Sequence, residues 1–278
     1  FILCGYTNSF GSGSYDFYLI KTDSNGNQLW QKTYGGSFLD GASDVILTTD
    51  GGYLITGENH DNYNVIKTDS AGNVIWNKTY GGSGIDYGVE TLALADGNFL
   101  TVGYTDSSGT GNSNIYLLKL STFGDIIWSK TFGGGANENG LSIKASGDGN
   151  FFIAGYTYSF GAGGADAYLL KVDASGNLIC SKTFGGIGAD VFDDIKIYPD
   201  GSMIAGGYTT SYGNGGYDYY IVKMDINGNQ LWNKTFGGAW DDISYTVLIG
   251  SDNSIMGIGR STSFGAGSWD AYFVKFYK

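Results

Sequence analysis

Carboxylates recur along this chain at a fixed offset from glycine pairs. Asp40, Asp86, Asp190 and Asp242 each follow a Gly-Gly step, Glu138 stands at the equivalent place, and Asp16, Asp166, Asp218 and Asp270 open apolar runs. Carboxylates gathered on one rim suit Ca²⁺, which takes several oxygen ligands at once. Carboxylates present in every repeat equally suit a plainer task, accepting hydrogen bonds from the amides of their own loops, and recurrence favours that task. The Asp-Ser-Asn-Gly-Asn run from Asp23 is no EF-hand loop, because its Gly is misplaced and no Glu closes it. His60, the only histidine, lies beside Asp61 in Glu58-Asn59-His60-Asp61-Asn62. That pair has the chemistry of a metal ligand or a base, but no second His or Cys ligand and no nucleophile accompanies it, so an exposed turn residue is expected. Phe10, Phe160, Tyr212 and Phe264, followed by Tyr15, Tyr217 and Trp269, stand in Gly- and Ser-rich stretches. Flat rings beside Ser, Asn and Asp fit the CH-rich faces and hydroxyl edges of a sugar, whereas the plainer reading has them cover hydrophobic gaps between repeats. No catalytic constellation is present.

These residues are placed by a repeat. Trp-x-Lys-Thr-aromatic-Gly-Gly begins at Trp30, Trp76, Trp128 and Trp232, and Cys180 replaces Trp in a fifth copy. The successive intervals are 46, 52, 52 and 52 residues. A second marker, Asp/Asn-x-x-aliphatic-aliphatic-Lys, ends at Lys21, Lys67, Lys119, Lys171, Lys223 and Lys275. Within one repeat, short runs of branched and aromatic residues are punctuated by Gly, Asn and Asp, which predicts strands and turns. In the third repeat the predicted strands are a, Val89 to Leu94; b, Phe99 to Thr105; c, Ile115 to Leu120; and d, Ile126 to Phe132. The a–b and c–d links carry Asp-Gly and Asn chemistry that tolerates positive φ in tight hairpins. The longer b–c and d–a links collect Gly, Ser and Asp at the opposite end. Trp30, Lys21 and their equivalents recur as packing residues, with lysine stems between rings and the tryptophans buried between sheets.

One such meander cannot bury both of its faces, whereas a ring of them can. The expected fold is all-β, a β-propeller of four-stranded antiparallel blades, with six blades represented; the first lacks strand a and the last lacks strand d. A single domain over residues 1–278 is expected, cut from a longer protein whose ring has six or seven blades. Kelch and WD repeats have similar lengths, but here the Gly pair follows the Trp-bearing strand and the Gly-His to Trp-Asp signature is missing.

Net charge and cysteine content narrow the function. The formal charge of −12 disfavours nucleic acid, whose binding rests on cations that displace counterions, and disfavours anionic membranes. No apolar run reaches the length needed to span a bilayer. Cys4 and Cys180 are too few for a disulfide scaffold and too far apart in sequence for a metal cluster.

Phe184-Gly185-Gly186-x-x-x-Asp190, Pro199-Asp200-Gly201, Gly207-Tyr208-Thr209-x-Ser211 and Asp218-x-Tyr220-x-x-Lys223-x-Asp225-x-x-Gly228-Asn229 resemble the SBBP-type repeat of bacterial and archaeal β-propellers, and the pattern runs through essentially the whole chain. The resemblance implies a large secreted or surface-anchored protein without assigned chemistry. Asp23 to Trp30 is similar, within one residue of spacing, to the outer-strand motif of quinoprotein-type propellers. Quinone-dependent enzymes of that type have eight blades and adjacent cysteines over the cofactor, a pair this chain does not have. The expectation is therefore an extracellular or cell-surface binding or scaffolding module, for glycans or a surface protein, without a cofactor unless Ca²⁺ is held. The alternative is an enzyme, a lyase, hydrolase or quinone-dependent oxidoreductase, working in a central channel or at the rim notch around His60. The loop-rich rim carrying Phe160, Tyr212, Phe264 and Trp269 is the expected functional face.

Overall fold

The computed structural model describes residues 1–277. Their strands form six antiparallel meanders in chain order. The first has β1 (Ile2–Thr7), β2 (Asp16–Thr22) and β3 (Gln28–Tyr34). The second has β4 (Asp40–Leu47), β5 (Tyr53–Asn59), β6 (Asn62–Thr68) and β7 (Val74–Tyr80), and the third β8 (Asp86–Ala93), β9 (Phe99–Thr105), β10 (Asn114–Leu120) and β11 (Ile126–Phe132). The fourth has β12 (Glu138–Ala145), β13 (Phe151–Thr157), β14 (Asp166–Val172) and β15 (Leu178–Phe184). The fifth has β16 (Asp190–Ile197), β17 (Met203–Thr209), β18 (Asp218–Met224) and β19 (Gln230–Phe236), and the last β20 (Asp242–Ile249), β21 (Ile255–Ser261) and β22 (Asp270–Phe276). As expected, the first sheet lacks an inner strand and the last an outer one.

The chain divides into two compact units, Phe1–Phe132 and the part from Gly133 onward. In the N-terminal unit β4 packs on β1 and β2, and β8 packs on β4, β5 and β6. In the C-terminal unit β16 packs on β12, β13 and β14, and β20 on β16, β17 and β18. In the four-stranded sheets the third strands are buried on both faces, which is why Tyr219-Tyr220-Ile221-Val222 is an unbroken apolar run. Leu54, Tyr63 and Val65 meet Phe99 and Leu118 in one core; Phe152, Ala167 and Leu169 meet Phe192, Met203 and Tyr220 in another. Each enclosed Leu, Val or Phe contributes roughly 1.5–3 kcal/mol.

The turns follow from side-chain chemistry. Asp23 accepts the amides of Asn25 and Asn27 at 2.8 and 2.9 Å and the Asn27 side-chain amide at 2.9 Å, while Gly26 takes φ +85°, a conformation open to Gly at no steric cost. Asp69, Asp173 and Asp225 repeat the device. The third-strand lysines cross to the first turn of their own sheet: Lys67 donates to Asp50 at 2.8 Å and Lys171 to Asp148 at 2.7 Å, and Lys119 pairs with Asp96 at 3.4 Å. Lys67, with Thr48, holds the Asp50 carboxyl down to about 2. Lys223 instead donates to Ser202 at 2.8 Å and lies 3.2 Å over the Tyr198 ring, and Lys21 lies over Tyr53.

Trp30, Trp76, Trp128 and Trp232 are half-buried rather than enclosed between sheets. Trp76 shows their use, covering Gly124 in the next sheet's turn and donating Nε1–H to Thr122 O at 3.1 Å.

Every inner strand carries a bulge, with Ser43, Val89, Leu141, Asp193 and Tyr245 as the extra residues. The residue after the bulge reaches the next inner strand. Asp44 accepts Thr91 N–H at 2.9 Å and Asp194 accepts Val247 N–H at 3.1 Å, with Ser142 accepting Ile195 N–H at 3.4 Å. A bulge re-aims its own side chain, so these two adjacent positions differ in task.

Candidate functional site

The loop-end carboxylates brace their own loops. Asp86 accepts Gly82 N–H at 2.8 Å and the Ser107 hydroxyl at 2.7 Å, and also the Thr105 hydroxyl. Asp190 has the same three kinds of donor in Gly186, Ser211 and Thr209. Glu138 accepts Gly134 N–H at 2.7 Å and the Thr157 hydroxyl at 2.8 Å. Asp242 accepts from Gly238 and Ser263, and Asp40 from Gly36 alone. The second oxygens of Asp40 and Asp242 are buried without a partner, because Asn59 and Ser261 stand where the other second strands end in Thr. Asp16, Asp166, Asp218 and Asp270 accept amides of the b–c loops that precede them. Among the described residues no three His, Cys, Asp or Glu side chains gather as metal ligands.

The loop aromatics form two rows. Phe10, Phe160, Tyr212 and Phe264 lie over Tyr18, Tyr168, Tyr220 and Tyr272 of their own third strands, with ring centroids 5.1–5.8 Å apart. Tyr15, Tyr217 and Trp269 cover the penultimate residue of the second strand. Tyr15 meets Tyr6 edge-on at 5.3 Å, Tyr217 meets Tyr208 at 4.9 Å, and the Arg260 guanidinium lies 3.8 Å over Trp269. His60 and Asp61, with φ of +47° and +64°, form the two-residue turn joining β5 to β6. The exposed His60 ring stacks on Phe38 at 3.8 Å, and the Asp61 carbonyl accepts Asp86 N–H at 2.7 Å.

In the N-terminal unit Tyr6, Tyr15, Leu39, Gly41, Glu58 and Tyr87 line a cavity of about 330 Å³, at the low end of the size of small-ligand sites. Tyr87 is fixed by two contacts, a parallel stack on Tyr104 at 5.4 Å and a hydrogen bond from the Ser43 hydroxyl at 3.1 Å. Burial, and then the charges of Asp61 and Asp40, push the Glu58 carboxyl up. The result is a set of ring walls with one desolvated carboxyl and tyrosine hydroxyls among them.

In the C-terminal unit Asp193 occupies the β16 bulge. Its Oδ2 is closed to solvent and has no hydrogen-bond partner. Burial, and then the adjacent Asp194, push its carboxyl up to about 8. Tyr156, Tyr208 and Tyr245 lie within its electrostatic reach, and burial with that charge keeps their hydroxyls protonated above the ordinary tyrosine range.

Reading the sequence did not single out Tyr6, Tyr87 or Asp193. Tyr6 is the common residue of its position, while Tyr87 and Asp193 stand at positions that differ from repeat to repeat, and that variability is the signal that finds them. After the glycine of the second strand stand Tyr6, Glu58, Tyr104, Tyr156, Tyr208 and Arg260, and at the bulge Ser43, Val89, Leu141, Asp193 and Tyr245. The first position is Tyr in four of six repeats and departs at Glu58 and Arg260, whereas the bulge residue differs in all five.

No protein-family model matches the chain. The regulatory protein FlaEY of Caulobacter vibrioides is 24% identical over 183 residues, a match covering 56% of this chain and 19% of that protein. Among solved structures, Sqt1 from Chaetomium thermophilum aligns with TM-score 0.52 at 13% identity over 88% of this chain and 61% of that one. The Neurospora crassa Pan2 WD40 domain aligns with TM-score 0.50 at 12% identity over 84% of this chain and 62% of that one. These likenesses show the fold: all-β and propeller-like, shared with a WD40 domain although the WD signature is missing here.

Proposed function

We propose that this chain is a carbohydrate-binding β-propeller module of an extracellular or cell-surface protein. The observation that carries the reading is the N-terminal cavity walled by Tyr6, Tyr15 and Tyr87 with Glu58 at its side. Aromatic faces take the CH face of a pyranose, and a carboxyl with tyrosine hydroxyls takes its hydroxyl edge. The acidic charge of −12 suits an uncharged ligand better than an anionic one. The resemblance to SBBP-type repeats supports the location and a place within a larger polypeptide.

A glycan array followed by titration of the best ligand tests this. Tyr6→Ala and Tyr87→Ala should each weaken binding about tenfold, the equivalent of losing one ring contact. Undiminished binding by both variants overturns the assignment. Release of new reducing or unsaturated ends from the bound glycan would favour an enzymatic reading over simple binding.

A further inference from the structure

We propose that the tight-turn end of the fifth sheet is a docking site for a partner polypeptide. A cavity beside Tyr198 and Pro199 takes a basic side chain with aliphatic neighbours, and the Asp200 carboxylate pairs with its charge. The proposal does not rest on the saccharide reading and shares no residue with the N-terminal cavity.

The cavity, of about 580 Å³, lies in the C-terminal unit between the β12–β13 and β16–β17 turns, with Ile226 of the β18–β19 turn in its wall. Its size falls within that of small-ligand sites. Ile197, Tyr198, Pro199 and Ile226 give it apolar walls, and Asp148 and Asp200 supply two carboxylates. Three of those walls are particular to this sheet. Where Tyr198 and Pro199 stand, the other sheets have Thr48-Thr49, Leu94-Ala95, Ser146-Gly147 and Gly250-Ser251; where Ile226 stands they have Ser24, Ser70, Thr122 and Ala174. The turn itself closes in the same way without them, Tyr198 N–H meeting Ser202 O at 2.8 Å as Thr48 N–H meets Gly52 O at 2.9 Å. The fold therefore does not call for the larger residues. Ile226 is 49% exposed yet fixed in place, since a Cβ at Gly201 would lie 2.7 Å from its Cδ1.

The carboxylate is particular to this sheet as well. Elsewhere the third-strand lysine pairs with the turn aspartate, Lys67 with Asp50 at 2.8 Å, Lys119 with Asp96 at 3.4 Å, Lys171 with Asp148 at 2.7 Å and Lys275 with Asp252 at 2.9 Å. Lys223 does not pair with Asp200. Its Nζ lies 3.2 Å over the Tyr198 ring and donates to the Ser202 hydroxyl at 2.8 Å, and it lines a separate cavity of about 260 Å³ shared with Asn253 and Ile255 of the last sheet. Asp200 accepts the Ser202 hydroxyl at 2.6 Å and the Ser202 amide at 2.9 Å, which hold its carboxyl below the usual range, so it is ionised at neutral pH. Among the described residues it forms no ion pair.

With Asp148 committed to Lys171, the cavity offers one available negative charge among apolar walls. A basic side chain answers both, because its aliphatic stem covers apolar surface while its head meets a carboxylate. The four apolar walls call for aliphatic residues beside it. The formal charge of −12 draws a cationic segment and repels an acidic one.

The test titrates the whole chain with a blocked Leu-Arg-Leu peptide, its neutral citrulline isostere and its glutamate counterpart, following backbone amides by NMR. The arginine peptide should shift the amides of Gly147, Gly201 and Ile226. The citrulline peptide should bind about threefold more weakly, the loss of one exposed ion pair, and the glutamate peptide more weakly still. Asp200→Asn should bring the arginine peptide down to the affinity of the citrulline one. A triple variant, Tyr198→Thr with Pro199→Thr and Ile226→Ser, installs the residues of the second sheet and frees Lys223 to pair with Asp200 as Lys67 does with Asp50; it should bind none of the peptides. If that variant fails to fold, Ile226→Ser alone decides, with about a fivefold loss expected. The inference is overturned if no peptide binds, if the arginine and citrulline peptides bind alike, if Asp200→Asn or Ile226→Ser leaves the affinity for the arginine peptide unchanged, or if the shifted amides lie away from the cavity.

Discussion

Ser43-Asp44 in the N-terminal unit and Asp193-Asp194 in the C-terminal unit occupy the same bulge of the same inner strand, and they diverge at one residue only. Asp44 and Asp194 do one job, accepting the amides of Thr91 and Val247 in the next inner strand. Their predecessors do different ones. The Ser43 hydroxyl is spent on Tyr87 at 3.1 Å, while Asp193 keeps a buried oxygen without a partner. A repeat fold pins the position that its backbone requires and releases the adjacent one, and in these two units the released position lies beside the tyrosines.

Replacing Asp193 by Asn gives the largest effect and strikes directly at this comparison. The folded carboxyl, at about 8, lies above its unfolded value near 3.9. The native state therefore holds that proton more tightly; the associated stability is complete below about pH 4 and is lost as pH rises toward 8. Asp193→Asn removes the loss, so the variant should gain stability over the parent across that window, reaching on the order of 4 kcal/mol at neutral pH by linkage. Ser43→Asn should show no such pH dependence. Urea denaturation between pH 4 and pH 9 measures both, and a flat difference curve for Asp193→Asn would mean that burial does not hold the proton on Asp193.

Next in size is the shared clamp. Asp194→Ala strips a buried carboxylate from Lys196, Thr246 and Val247 and should cost about 3 kcal/mol. Asp44→Ala unpairs the Thr91 amide and should cost about 1–2 kcal/mol. Equal and negligible losses in urea midpoints would mean that the bulge is held by packing alone, and the division of labour between the two positions would not stand.

Most of the fold was legible because it is local. In the third repeat the second and fourth strands start and stop where alternation and turn residues place them, at Phe99–Thr105 and Ile126–Phe132. The first strand begins at Asp86, earlier than Val89, and ends at Ala93. Gly88 and the bulge at Val89 break the period of two that would have revealed its start. The sites were less legible because they are not local. Loop composition drew attention to Phe160 and Tyr212, whose rings fold onto Tyr168 and Tyr220 of their own sheets. The tyrosines whose hydroxyls feel the charge of Asp193 lie on β13, β17 and β20, which belong to three different repeats. Such places are marked in the sequence only by positions that differ from repeat to repeat, as the bulge does at Ser43, Val89, Leu141, Asp193 and Tyr245.

The smallest expected effect concerns a ring that the sequence favoured and sets it against one that it passed over. Tyr212 tilts over Tyr220 at 5.7 Å and donates its hydroxyl to Gly185 O at 2.7 Å, and its backbone N–H meets the Thr209 hydroxyl at 3.2 Å. The ring is 41% exposed, so truncation forfeits part of a ring contact and one half-solvated hydrogen bond. Tyr212→Ala should cost about 1 kcal/mol of stability, and Tyr212→Phe, which keeps the ring, about half of that. Neither change should alter glycan affinity, since the face of Tyr212 is already turned to its own sheet. Tyr6, 66% exposed and edge-on to Tyr15, should behave in the opposite sense, with little change in stability and about a tenfold loss of binding. Parallel urea and glycan titrations of Tyr212→Ala and Tyr6→Ala separate the two roles. If Tyr212→Ala proved the more damaging to binding, recognition would belong to the loop tips, and the second-strand row of tyrosines would be packing.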